Sequence, residues 1–411
     1  MLRNILILAT IFLLAPHAAG AQSALPDGAG KAIVQSSCAS CHALSQVTNA
    51  GHSKAEWDTV LHMMVNAGAQ LPADQFETVS TYLAKNFPPK TVGAAALISG
   101  PVKVTITEWD VPTPGSRPHD PMYAPDGSAW YTGQMANVLG RFDPRTQQFR
   151  EFKLPENSGP HGLIPDHDGN VWYTANFGAY IGKLDPRTGA VKQYPMPDPA
   201  AKDPHTLLLA PNGNIYFTVQ GANRVGRLDP KTGEVKLVTS PTPRSNPYGM
   251  VIDSHGAPFF VEFGSNKVAR LDPDTLAIHE FVLPHADSRP RRVAITPDDI
   301  IWYSDYARGY LGRLDPKTGA VTEFPSPGGK DSRPYGITAV GDVIWYSESN
   351  VSPNTLVRFD PKTQKFESWA IPSGGGVVRN MVHTPEGNLW LACSGVNKIA
   401  FVEVEKDRAA R

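Results

Sequence analysis

From residue 103 onward the apolar positions of this 411-residue chain fall into short runs rather than long faces. "AWYTG", "VWYTA", "IYFTV", "PFFVE", "IWYSD", "IWYSE" and "LWLAC" are each bounded by turn residues. Short runs rich in aromatic and β-branched residues predict strands. Between them Asp-Pro turns recur at Asp143, Asp185, Asp229, Asp272, Asp315 and Asp360, spaced by 42 to 45 residues. A period in the low forties with four short strands per unit predicts a β-propeller blade. There are seven such units, the last without its Asp-Pro turn, and the segments "VKVTITEW" and "IAFVEVE" can share one blade and close the ring. The repeated Asp residues read as turn chemistry rather than metal ligands, since Asp caps such turns and Gly supplies positive φ.

Before residue 88 the period changes. In "HSKAEWDTVLHMMVNAGAQ", Ser53 and Glu56 form a capping-box pattern, and Trp57, Val60, Met64 and Ala67 follow at helical spacing. Pro72 opens a further helix with Phe76, Val79, Tyr82 and Leu83 inward, and residues 27 to 42 suit a helix upstream. The expected fold class is therefore an all-β seven-bladed β-propeller preceded by a small all-α domain. The expected divisions are 22–87 for the helices, 88–102 for a Pro/Gly/Ala-biased linker, 103–405 for the propeller and 406–411 for a tail.

Composition changes the picture in two places. Lys and Arg number 38 against 39 Asp and Glu, so no net field draws the chain to nucleic acid or an anionic membrane. Residues 1–21 carry Arg3, an apolar run from Ile5 to Leu14 and the small residues Ala19-Gly20-Ala21, which predicts a cleaved export signal and a periplasmic protein with no remaining membrane span. The mature chain then holds three cysteines, Cys38, Cys41 and Cys393, too few for a disulfide framework. Cys393 reads as a core residue.

Cys38 and Cys41 belong to "SCASCHAL", a Cys-x-x-Cys-His run. After an export signal that spacing predicts one covalent haem c: two thiols bond the vinyl groups and His42 meets the iron. Zinc would need a second ligand pair, which does not follow. Met63, Met64, His52 and His62 are the available sixth ligands. The segment resembles small class I cytochrome c domains of the type found in quinohaemoprotein amine dehydrogenases, where an "EW…V…M…GA" helix carries the axial Met. Aligning "MVNAGA" on that pattern implies Met64 rather than Met63.

The propeller repeats, with "RP-H/Y-G…DG-x-x-W-Y/F-T/S" and "G-R-L-D-P-x-T-G", resemble the virginiamycin B lyase (streptogramin lyase) family. One position per repeat opens the innermost strand: His119, His161, His205, Tyr248, Arg291, Tyr335 and Arg379, spaced by 42 to 44. Near it, after the second strand, come Glu262, Asp305 and Glu348. A ring of this kind allows a solvated channel mouth, a site for an anionic or polyphenolic ligand on Arg291 and Arg379, or a divalent-metal site on the three histidines. The resemblance implies a general-base His with a Mg²⁺-holding Glu some fourteen residues later in the same blade. Here the three histidines have Gly133, Ala175 and Val219 at that offset. The leading expectation is periplasmic electron transfer, with the propeller binding a small-molecule substrate or redox partner. A streptogramin-type C–O lyase and a non-catalytic interaction module are the alternatives.

Overall fold

The computed structural model describes residues 25–405. The expected export signal and the six-residue tail lie outside them. Seven four-stranded antiparallel sheets form the expected ring. Blades one to six run in order from inner to outer strand over residues 118–153, 160–195, 204–239, 247–282, 290–325 and 334–370. The seventh takes its three inner strands from Val378–Glu405 and its outer strand from Lys103–Asp110, which pairs with Lys398–Glu405 from Lys103↔Glu405 to Asp110↔Lys398. The two ends of the propeller thus close the ring within one sheet, as the terminal segments predict.

The repeat signals have local causes. Each Asp of the Asp-Pro turns accepts the backbone N–H two residues on, from Arg145, Arg187, Lys231, Asp274, Lys317 and Lys362, at 2.8–3.1 Å. Gly189 takes φ 77° behind one of them. Side chains of adjacent blades interdigitate, as Trp130 and Phe152 do with Val171 and Tyr173. All seven inner strands shift register just after their first residue, a bulge repeated around the ring. A hydroxyl of the second strand serves it. Thr132 Oγ1 accepts from Asp120 N at 3.0 Å and donates to the His161 carbonyl at 2.8 Å, joining blade one to blade two. Thr174 and Thr218 repeat the arrangement toward His205 and Tyr248.

The N-terminal residues form four helices: α1 (Lys31–Cys38), α2 (Ser45–Thr48), α3 (Lys54–Asn66) and α4 (Ala73–Asn86). The capping box at Ser53 and Glu56 is present. On α3 the buried side chains are Trp57 and Leu61, whereas Ala67 is the exposed C-cap, because the helix turns its stripe toward α4 and the chain ends one turn early. The segment 88–102 is strapped to the sixth blade: Gly93 and Ala94 pair in parallel with Val351 and Ser352, and Ile98 exchanges hydrogen bonds with Ser368. The helices sit on the face where the inner strands begin. Asn66 donates to the Pro114 carbonyl at 2.9 Å, and a Cβ at Gly115 would strike the backbone of α3. Among the described residues no helix is long and apolar enough to cross a membrane.

Candidate functional site

The inner-strand residues converge as the spacing predicts. The imidazoles of His119, His161 and His205 follow one another with centroids 3.7 and 3.6 Å apart and planes tilted by 44° and 42°, and the Tyr248 ring continues the row at 3.8 Å and 48°. The Tyr248 and Tyr335 hydroxyls lie 2.5 Å apart. Arg291 has no carboxylate partner; its guanidinium lies 4.0 Å from the Tyr335 ring centroid, 4.3 Å from Tyr306 and 4.7 Å from Phe263, in an aromatic cage. Tyr248 is pushed up to about 12 by burial and by the charge of Tyr335. Tyr335 is drawn down: burial opposes this, but Arg291, Arg379 and Arg292 outweigh it.

Because of the bulge, the residue after each ring position also reaches the axis. Two such residues went unforeseen. Asp120, from blade one, and Arg292, from blade five, meet across the channel with Oδ1–Nη2 at 2.7 Å, and both are buried. Arg292 Nε also donates to the Arg379 carbonyl at 3.1 Å. Burial lifts the Asp120 carboxyl and Arg292 pulls it back; burial likewise acts to deprotonate Arg292, and Asp120 more than offsets it. A repeat-aware reading would have had to test position +1 of each inner strand, since alternation assigns that residue to the opposite face.

The three histidines are held neutral. Burial pushes each well below its ordinary value, and neighbouring imidazoles and guanidiniums add to this. His119 Nδ1 lies 2.9 Å from Asp120 Oδ1, His205 Nδ1 lies 3.1 Å from Thr206 Oγ1, and His161 Nδ1 has no partner. A divalent metal fits poorly. The donors that come within 4.8 Å of one another are those of His119, Asp120 and His161, not of three histidines, and Asp120 is already committed to Arg292. Arg117, Arg292 and Arg379 add positive charge around them.

Glu262, Asp305 and Glu348 stand opposite Pro247, Pro290 and Pro334, beside the ring positions, and their oxygens are taken up by hydrogen bonds. Glu262 accepts from Ser240 at 2.5 Å and Ser265 at 2.9 Å, Glu348 from Ser326, the Gly328 amide and Thr355, and Asp305 from the Arg289 amide and Arg308. Each buried carboxylate satisfies donors of neighbouring loops, which is scaffold work. Gly133, Ala175 and Val219 stand opposite Pro118, Pro160 and Pro204 in the histidine blades, so no carboxylate occupies the place of a metal-holding Glu there.

In the helical domain, Cys38 closes α1; it and His42 are half-buried, while Cys41 is exposed. Cys38 and Met64 line one apolar slot with Ile33, Val34, Leu61 and Val79. His42 Nδ1 lies 3.2 Å from the Ala43 carbonyl, so a proton on Nδ1 leaves Nε2 free as a ligand. His62 packs on Phe76 and His52 on Trp57. Two thiols, an imidazole and a thioether are the donor types a covalently attached haem would use; of these, Cys38 and Met64 line the slot and Cys41 and His42 do not. A second cleft, about 680 Å³, lies between the domains. Met63, Met64, His52 and Glu56 line its helical side, and Arg117, Arg333 and Arg379 its propeller side.

These features define a closed seven-bladed propeller with a polar, arginine-rich mouth covered by a small helical domain. The chain belongs to the virginiamycin B lyase family, whose description matches residues 93–324 and 278–409. It is similar to the virginiamycin B lyase of Staphylococcus aureus, at 25% identity over 73% of this chain and 99% of that one, with a TM-score of 0.67. A catalytically inactive histidine-to-alanine variant of that enzyme with quinupristin gives 25%, 73%, 99% and 0.66. Hydrazine synthase of Kuenenia stuttgartiensis shares the fold, at 16% identity over 71% of this chain and 96% of that one, with a TM-score of 0.58. No curated protein matches the chain. Residues 25–92 precede both matched ranges, so the haem reading stands on their own chemistry.

Proposed function

We propose that this is a periplasmic c-type haem electron-transfer protein whose propeller mouth binds the small molecule or redox partner that it serves. One observation carries the reading: a single cleft is bounded by Met64 on one side and by Arg117 and Arg379 of the mouth on the other, while Met64 also borders the slot shared with Cys38. A haem bound by Cys38, Cys41, His42 and Met64 would supply one-electron chemistry. The residues present would do the rest: α3 and α4 exclude water from the slot, and the mouth orients the ligand. Protein matured in a host that attaches c-type haem should carry one covalent haem and show an absorption band near the red edge of the visible in its oxidised state. Met64→Ala should abolish that band and Met63→Ala should keep it. Protein without covalent haem under those conditions sinks the proposal.

Family membership favours a second reading, a C–O lyase of the streptogramin type. It expects turnover in protein lacking haem, lost on substitution of His161 or His205. The pairing of Gly133, Ala175 and Val219 with the histidine blades weighs against it, because a histidine base would act without a carboxylate-held metal in its own blade.

A further inference from the structure

The interdomain cleft gathers positive charge that no group on the protein matches. Arg292 is committed to Asp120, and Arg291 is caged by aromatic rings. Of the three arginines lining the cleft, Arg333 lies over the Tyr306 ring at 5.6 Å, while Arg117 and Arg379, both half-buried, enter no ion pair among the described residues. Arg379 Nε is buried without a hydrogen-bond partner. The one carboxylate lining the cleft, Glu56, accepts from the Ser53 amide at 2.7 Å in the capping box. Burial and the charge of Arg379 push Arg117 down to about 9, which records two like charges held together in a partly dry site.

The backbone adds an independent sign. Arg117 takes φ 56° and Arg333 φ 52° immediately before the inner-strand proline. Blades two, three and four place Gly159, Asp203 and Asn246 there, residue types that tolerate the left-handed region. Arg117 and Arg333 thus hold long side chains at the rim in a backbone conformation that other blades give to Gly, Asp or Asn.

We propose that Arg117 and Arg379 form a carboxylate-binding site that takes the acid group of a small organic substrate in this cleft. The guanidinium fork matches a carboxylate in two parallel hydrogen bonds, and an entering anion would satisfy Arg379 Nε and relieve the repulsion between the two cations. The inference deepens the haem reading by naming its substrate class, yet it rests on propeller residues alone. The same carboxylate chemistry could also come from a haem propionate, and the test separates the two sources.

The test titrates succinate into the full-length holoprotein by calorimetry at low salt, with succinamide as the uncharged control. Saturable binding of the diacid and none of the diamide is expected. Arg117→Gln or Arg379→Gln should weaken binding at least tenfold, and Arg379→Lys should restore part of it. If succinate does not bind but the charge-conserving Arg379→Lys shifts the haem reduction potential, the carboxylate held there is a propionate and the substrate site is overturned. No binding together with an unchanged potential overturns the proposal. The diacid–diamide comparison in the unaltered protein decides even if a variant fails to fold. Succinate binding without haem reduction by any organic acid tried would count against the redox reading and leave the site intact.

Discussion

The helical domain and the propeller solve opposite problems. Residues 25–87 concentrate their chemistry within one stretch of sequence but enclose a small core of eight buried apolar side chains around the slot at Cys38 and Met64. The propeller has a core between every pair of blades, while its chemistry is scattered at intervals of 42 to 44 residues and meets only on the axis. A small domain with little apolar area to bury is marginal alone and gains stability from a group bound in its centre. A closed ring of seven sheets has no such need. The difference teaches where each region is vulnerable: the helices through their small core, the propeller through buried polar groups at its axis.

The largest expected effect separates the two. On the proposed haem reading, Cys38→Ala with Cys41→Ala should leave the helical domain largely unfolded while the propeller melts unchanged. Loss of helical circular dichroism beside an unaltered propeller transition would show it, and a fully helical double variant would erase the contrast.

Next in size is the pair across the channel. Asp120→Asn leaves the Arg292 guanidinium buried without its counter-charge, at a cost of about 3–5 kcal/mol, read from denaturant unfolding of the propeller. Combining Asp120→Leu with Arg292→Met should cost much less than the two single changes summed. A loss under about 1 kcal/mol for Asp120→Asn would mean that water already screens the pair.

The third expectation concerns pH. His119, His161 and His205 are held well below their ordinary value of 6.5, so the unfolded chain takes up protons that the folded ring refuses. Stability is therefore flat above the unfolded value and falls as pH drops below it, by about 1.4 kcal/mol per pH unit for each histidine until it protonates in place. Denaturant midpoints followed from roughly pH 7 to pH 5 should show the decline, and His161→Asn should remove about a third of the slope. A slope that His161→Asn leaves unchanged would assign the acid sensitivity to other groups.

Both repeat architectures were readable where one residue type serves one local need. Asp143 and its repeats announce turns because a carboxylate two residues ahead of a free amide can do little else, and Ser53 with Glu56 announces a helix start for the same reason. The ring residues were also legible, because a strict period places like positions at like radius. Asp120 and Arg292 were not, because the bulge breaks the two-residue alternation on which face assignment rests. Spacing placed Glu262, Asp305 and Glu348 beside the ring but did not reveal their partners, which come from the preceding loop and from their own blade. The family relation extends over the propeller and leaves the helices to be argued from residues alone.

By itself, then, the sequence determined the number of blades, their closure and the identity of the ring, all of them set by short-range patterns and a fixed period. Only the tertiary structure decided which charges are balanced. It joined Asp120 to Arg292 across 172 positions of chain, caged Arg291 and set Arg117 beside Arg379 beneath α3. Electrostatic pairing depends on distance in space and on burial, and neither is written in the order of residues.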